Sequence, residues 1–178
     1  MRRRVPTPPE PALLLIGTLY SKEEIFTAAL SCLEEYFGEA VMESPVMQWD
    51  FSGYYKEELG EAIFRRFIFF KNLIEQDHLP ACKLKTCDLE DRLSVDGKRT
   101  INLDPGYLTT AKVVLASAKD YSHRIYLTDG IFAEVTLSYS KDKRNFVPFA
   151  YTYRDYCDER YLRFFSVARS LLLFLSRG

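Results

Sequence analysis

Glycine, proline, cysteine and histidine are all scarce in this sequence. The 178 residues include 8 Gly, 8 Pro, 4 Cys and 2 His, while 47% of the residues are hydrophobic. This composition excludes a linker, a low-complexity scaffold and a disordered chain, because enough apolar surface is present to build a core. At about 150 residues per domain, the length predicts one globular domain.

Long hydrophobic runs and an excess of one charge are also missing. The longest apolar runs, at residues 12–17 and 171–175, are far shorter than the roughly 20 residues that span a membrane, so we expect no membrane association. The basic residues 2–4 precede prolines rather than the apolar core of a secretory signal. The net charge of -1 excludes a uniformly basic protein that binds polyanions with its whole surface.

The few cysteines and histidines form no pattern typical of a metal or redox site. Cys32, Cys82, Cys87 and Cys157 contain no Cys-x-x-Cys pair, and they indicate reduced thiols in a cytoplasmic protein. His78 lies four residues before Cys82, but this spacing matches no standard zinc pattern, so no metal site is predicted. The sequence also lacks a phosphate-binding loop and a nucleophile elbow. It therefore does not indicate which cofactor, if any, the protein uses.

Hydrophobic periodicity predicts the elements of the first half of the chain. Residues 1–11 form a Pro-rich lead that we expect to be flexible. Residues 12–20 then read as a buried strand, and apolar residues recur at helical spacing over 25–37 until Gly38 ends the helix. The aromatic run from Arg65 to Phe70 predicts another strand.

The second half predicts a β-meander and a terminal helix. Three β-rich runs at 112–118, 123–127 and 131–139 follow one another, and Asp129-Gly130 between the last two is a hairpin signal. An apolar stripe from about Asp158 onward predicts the helix. The fold class expected for residues 12–178 is a single α+β domain with a mostly antiparallel sheet and with helices packed on one face.

Polar residues between 102 and 130 are the main candidates for a functional site. Asp104-Pro105-Gly106 has the composition of a turn, which would present the Asp104 carboxylate and the Tyr107 hydroxyl together. His123 is the residue in this stretch whose ordinary pKa lies near neutrality. We therefore expect Asp104, His123 and Tyr107 to carry any catalysis.

The same segment offers cations for an anionic ligand. Lys119 and Asp120 lie between two of the β-rich runs and Arg124 near the start of the second, and Lys119 and Arg124 have the chemistry to hold an anion. The alternative is a hairpin whose charged turn is simply solvated, with His123 satisfied inside the sheet.

A second group of residues is aromatic. Trp49, Asp50, Tyr54 and Tyr55 have the chemistry to stack on a planar ligand or a base, and core packing explains the same residues equally well. The ligand role for Tyr54 and Tyr55 requires them to face the Asp104 and His123 group across one cleft.

Two hypotheses about function follow. The first is a cytoplasmic protein that binds or acts on a small anionic or phosphate-bearing ligand. The second is a noncatalytic interaction module for RNA or a protein partner, although no RNA-binding motif occurs. Residues 21–62 carry two Lys and ten Asp plus Glu, so the rest of the chain carries a net charge of +7, which is compatible with a basic face. The oligomeric state and the existence of an enzymatic activity stay open.

Several motifs in the second half resemble a known family. They are Asn102-Leu103-Asp104-Pro105-Gly106-Tyr107-Leu108, His123-Arg124-Ile125-Tyr126-Leu127 and Glu134-Val135-Thr136-Leu137. These runs resemble those of the domain of unknown function family 4416, and the similarity extends over nearly the whole chain. The resemblance implies little about activity, because the family is uncharacterised. Its members are sometimes labelled GTP-binding proteins, yet this sequence lacks both the phosphate loop and the Asn-Lys-x-Asp base reader.

Overall fold

The computed structural model describes residues 6–51, 53, 55–60 and 62–176. Within these residues it contains nine strands and four α-helices. In chain order they are β1 Ala12–Tyr20, α1 Glu23–Phe37, β2 Ala40–Glu43, β3 Met47–Gln48, α2 Lys56–Leu59, β4 Phe64–Ile74, α3 Leu79–Arg92, β5 Ile101–Leu108, β6 Lys112–Ser117, β7 Ile125–Thr128, β8 Ile131–Ser140, β9 Asn145–Pro148 and α4 Glu159–Leu175.

All nine strands belong to one open antiparallel sheet. Its order is β2-β4-β1-β5-β6-β8-β7, with β3 also paired to β4 and β9 also paired to β8. The α+β class, the antiparallel sheet and the C-terminal meander followed by a terminal helix are therefore confirmed.

The helices cover both faces of the sheet, so the expectation that they pack on one face was wrong. In β1, Leu13 and Leu15 pack with Phe165 of α4, whereas Leu14 and Ile16 pack with residues of α1 and α3 on the opposite side. Every residue of β1 is buried. A strand covered on both faces has no polar positions to alternate with apolar ones, which explains the unbroken apolar run of β1.

The Asp104-Pro105-Gly106 segment is a strand, not the turn that its composition predicts. Asp104 pairs with Gly17 of β1, and Pro105 pairs with Ile16. Proline is tolerated here because β6 pairs with β5 only from Gly106 onward, so the missing amide of Pro105 faces the side where no strand follows. Central β-pairing with β1 thus overrides the local turn preference.

The meander places β8 beside β6, with β7 at the edge of the sheet. Asp129 and Gly130 both have positive φ, as the hairpin between β7 and β8 requires. Because β7 lies at the edge, Ile125 is 70% exposed and Leu127 is 39% exposed. Both side chains are apolar, yet they stay exposed to solvent.

The chain before β1 is described from residue 6 onward. Residues 6–11 are exposed and form no regular secondary structure, while the first five residues of the expected flexible lead lie outside the described residues. No helix in the described ranges has the length and hydrophobicity to cross a membrane.

Candidate functional site

A cleft opens where β5 and β6 separate. The two strands pair only over Gly106–Leu108, and earlier residues of β5 have no strand partner on that side. Two side chains of α3 bond the backbone of Leu103 instead: Lys83 Nζ donates to its carbonyl at 2.9 Å, and Glu90 accepts from its amide. The sheet therefore stays satisfied in hydrogen bonding while a cavity forms between the strands.

The larger cavity in this cleft has a volume of about 330 Å³, at the lower end of the range for small-molecule sites. Among the described residues, six aromatic side chains line it: Trp49, Phe51, Tyr55, Tyr121, Tyr153 and Tyr156. Seven charged side chains of the same described set also line it: Arg65, Asp104, Lys119, Arg124, Glu134, Arg154 and Asp155. The lining thus combines flat apolar surfaces with a dense set of charges.

A buried ion pair between Arg65 of β4 and Asp155 lies beside this cavity. Asp155 Oδ2 accepts from Arg65 Nε at 2.9 Å, from Arg65 Nη2 and from Trp49 Nε1 at 3.2 Å. Burial is the largest single influence and lowers the pKa of the Arg65 guanidinium, but Asp155, Tyr156 and Asp104 together outweigh it, so the pKa is raised. Arg65 is therefore a fixed cation in a dry environment.

Two polar atoms beside the cavity lack a hydrogen-bond partner in the described part of the chain. They are Arg65 Nη1 and the hydroxyl of Tyr156, and both are buried. Burial raises the pKa of Tyr156 well above its ordinary value, so its hydroxyl stays protonated and able to donate. A Cβ at Gly17 would lie 2.9 Å from the Tyr156 hydroxyl and 3.0 Å from Arg65 Nη1, so the glycine provides the space that both atoms occupy.

Arg124 holds the opposite wall of the cavity together. Its Nε donates to Glu134 at 3.0 Å, its Nη1 donates to Ser117 Oγ at 2.6 Å and its Nη2 donates to the Tyr153 hydroxyl at 3.0 Å. These bonds join the end of β6, strand β8 and the segment before α4. The guanidinium is therefore a structural clamp as well as a lining group.

Asp104 lies at the centre of the cleft. Its Oδ2 accepts from Asn102 Nδ2 at 2.8 Å and lies 3.7 Å from Arg65 Nη1, while its Oδ1 lies 4.0 Å from Lys83 Nζ. One cation therefore lies near each oxygen of the Asp104 carboxylate.

A smaller cavity of about 190 Å³ adjoins the larger one. Both are lined by Tyr55, Asp104, Ala116, Ser117, Lys119 and Tyr153. The smaller cavity adds Lys83, Glu90, Arg99 and Asn102. Counted over both cavities, the described lining residues include six Lys and Arg against four Asp and Glu, a local charge of +2 in a chain whose net charge is -1.

A family model for the domain of unknown function DUF4416 matches residues 10–171 of the 178-residue chain. The chain belongs to this family. The match confirms the resemblance of the motifs around Asp104, His123 and Glu134, and several residues of those motifs line the cleft. No curated protein and no solved structure shows significant similarity to the chain. Because the function of DUF4416 is unknown, membership by itself assigns no activity.

Four site residues expected from the DUF4416 sequence line the cleft together. They are Asp104, Lys119, Arg124 and Tyr55, which come from β5, the loop after β6 and the segment before α2. Trp49 lies in the same wall as Tyr55, with ring centroids 5.4 Å apart. The two groups of candidates, polar and aromatic, thus face one cavity. Tyr54 lies outside the described residues.

The other three expected residues do not line the cleft. His123 lies behind Glu134, whose Oε2 is 3.1 Å from its Nε2, and its ring stacks on Tyr151. Tyr107 is buried on the other face of β5, because residues three apart in a strand point to opposite sides. Asp120 is exposed in the loop before β7.

Sequence reasoning missed Arg65, Asp155 and Tyr156, which form the buried end of the site. An arginine inside an aromatic strand is a signal that points to Arg65, because a charge is buried only with a partner. Asp155 and Tyr156 lie in a 3-10 turn, Arg154–Cys157, and no local pattern distinguishes them. Among the described residues, no three His, Cys, Asp or Glu side chains are grouped as metal ligands.

Proposed function

We propose that this DUF4416 protein binds a small anionic molecule in the cleft between β5 and β6. The observation that carries the proposal is a pair of buried donors beside the larger cavity, Arg65 Nη1 and the Tyr156 hydroxyl, that form no hydrogen bond with the described residues. A buried donor without an acceptor is costly, and an anionic oxygen of a ligand relieves that cost. The local charge of +2 favours the same class of ligand.

The remaining lining residues support this assignment. Arg154 lines the cavity, is exposed and forms no hydrogen bond or ion pair with the described residues, so it is available to an anion at the entrance. Tyr55 and Trp49 provide flat surfaces against which the rest of the ligand packs. In this proposal His123 positions Glu134, which in turn fixes Arg124, and does not itself touch the ligand.

A thermal shift screen with phosphate, sugar phosphates, nucleotides and dicarboxylates tests the proposal. A ligand present at about 100 times its Kd adds about 2.7 kcal/mol to the free energy of unfolding. For a chain of this size that increase raises Tm by about 5–11 °C. A flat response to all these anions contradicts the proposal.

Tyr156→Phe separates a binding role of the hydroxyl from a structural one. Because this hydroxyl has no partner, its removal leaves the stability unchanged or higher, but it lowers the affinity for the anion about tenfold. Tyr20→Phe is the matched control, because it removes a buried hydroxyl on the opposite face of the sheet. Equal affinities for both variants and the wild type contradict a contact at Tyr156.

A column of stacked rings favours a second candidate function, binding of single-stranded RNA. Tyr121, His123, Tyr151 and Phe149 stack in succession, with centroid distances of 6.0, 4.5 and 5.3 Å. Exposed rings stack on bases, and this module predicts binding that weakens steeply with salt. Fluorescence anisotropy with a labelled RNA tests this function. Tyr151→Ala is expected to weaken binding, and the distant Tyr36→Ala is the control. Binding that does not change with salt, or no binding at all, contradicts the RNA version of this function.

We also propose that this protein is cytoplasmic. Its four cysteines are free thiols, which suits a reducing compartment. Microscopy of a fluorescently tagged full chain tests it.

A further inference from the structure

The smaller cavity has a chemistry that differs from that of the larger one. Three cations and two carboxylates of the described residues line it: Lys83, Arg99, Lys119, Glu90 and Asp104. They surround one small space of about 190 Å³. This cavity adjoins the proposed anion site through shared residues, so one molecule of modest size reaches both.

Lys83 has unused hydrogen-bonding capacity in this cavity. An ammonium group has three donors, and a buried one is satisfied only when it finds several acceptors. Lys83 is 7% exposed, yet its Nζ makes one hydrogen bond in the described part of the chain, to the Leu103 carbonyl at 2.9 Å. Asp104 Oδ1, at 4.0 Å, is too distant for a second one.

Asp104 has unused capacity on the matching side. Its Oδ2 is occupied by Asn102 Nδ2, whereas its Oδ1 accepts no hydrogen bond from the described residues. An unused acceptor and unused ammonium donors thus face each other across 4.0 Å at the junction of the two cavities.

The presence of both signs of charge restricts which ligand groups the smaller cavity accommodates. A second anionic group would lie against Glu90 and Asp104, and a cationic group would lie against Lys83 and Arg99. A hydroxyl group accepts and donates at the same time, so it accepts from Lys83 Nζ and donates to Asp104 Oδ1 without repulsion. Neighbouring hydroxyls on one ligand extend this pattern toward Glu90 and Arg99, which lie 3.6 Å apart.

We infer that the smaller cavity binds hydroxyl groups, and that the ligand of this cleft is a polyhydroxylated anion such as a sugar phosphate or a sugar acid. The inference rests on the proposed function, because it places the anionic group at Arg65, Tyr156 and Arg154 in the larger cavity. The hydroxyl-bearing part extends past Asp104 to Lys83. The hydroxyls determine specificity, and the anion supplies the electrostatic attraction.

Isothermal titration calorimetry on the full chain with matched pairs of compounds tests the inference. Ribose 5-phosphate is compared with pentyl phosphate, and gluconate is compared with hexanoate. The polyol member of at least one pair is expected to bind at least tenfold more tightly than its alkyl counterpart. The pair that shows this preference identifies the anionic group as a phosphate or a carboxylate.

Two variants locate the preference in the smaller cavity. Asp104→Asn and Lys83→Met are expected to abolish the tenfold preference within each pair. Because both members of a pair carry the same anionic group, any effect of the lost charge on the anion site cancels in this ratio. Asp88→Asn and Lys85→Met on α3 are the matched controls, because neither residue lines a cavity. If Lys83→Met fails to fold through loss of its bond to Leu103, Asp104→Asn decides the question alone.

The outcomes separate this inference from the proposed function. Equal affinity for the two members of both pairs overturns the inference and leaves the anion site intact. A preference that survives Asp104→Asn overturns the assignment to the smaller cavity. If none of the four compounds binds, this inference and the proposed anion site on which it rests are both overturned.

Discussion

Replacing Asp155 with alanine tests the buried end of the cleft. Asp155 is 3% exposed, and its carboxylate accepts hydrogen bonds from Arg65, Trp49 and the amide of Tyr156. Without it, the guanidinium of Arg65 stays buried with its strongest partner removed. We therefore expect a large loss of stability from a single small change.

The size of the loss follows from the surroundings of Arg65. Removing one partner of a buried ion pair costs about 3–5 kcal/mol. Asp104 lies 3.7 Å from Arg65 Nη1 and retains part of the compensation, so the lower end of that range, about 3 kcal/mol, applies. For a chain of this length the corresponding fall in Tm is about 6–12 °C.

Urea denaturation followed by circular dichroism measures this loss, provided that the m value is unchanged. Asp142→Ala is the matched control, because Asp142 is exposed between β8 and β9 and its removal changes stability by less than about 0.5 kcal/mol. The double variant Arg65→Met, Asp155→Leu removes both charges and is expected to recover most of the stability. A loss below about 1 kcal/mol for Asp155→Ala, or a double variant less stable than the single one, refutes the reasoning.

Three further predictions concern residues around the cleft. Gly17→Ala is expected to cost about 1–3 kcal/mol in urea denaturation, because its Cβ would contact Tyr156 and Arg65, whereas Gly53→Ala, in open space, is neutral. Burial raises the pKa of Glu90, so the folded state binds its proton more tightly than the unfolded state does. This contribution to stability therefore decreases as the pH rises above the ordinary glutamate pKa, and Glu90→Gln should flatten the stability curve there; an unchanged slope contradicts it. Burial raises the pKa of Cys82 to about 11, so iodoacetamide at about pH 8 should modify it only after unfolding, as mass spectrometry can verify.

Local patterns were sufficient for most of the elements. The apolar run of β1 and the periodic stripes of α1 and α4 match the structure, because burial of an apolar face sets these patterns directly. Gly38 ends α1 with a positive φ, and Asp129-Gly130 forms the predicted hairpin turn. Each of these features depends on neighbours within a few residues of the chain.

The strand at Asp104-Pro105-Gly106 shows where local reasoning fails. The composition favours a turn, but β1 supplies backbone partners along one side, and Lys83 and Glu90 satisfy Leu103 on the other. Those partners are distant in the sequence. The error also misplaced Tyr107, because a turn brings it next to Asp104, whereas a strand puts it on the opposite face.

The sequence by itself determined the class of the fold and the membership in DUF4416, and it singled out Asp104, Lys119, Arg124 and Tyr55, which line the cleft, by their polar or aromatic character. Only the tertiary structure decided which of them meet. The separation of β5 from β6 places Asp104 beside Arg65 and Asp155, residues from β4 and from the turn before α4. The physical reason is that hydrophobic patterning reports which residues are buried, whereas a polar site depends on pairings between distant segments that no local pattern encodes.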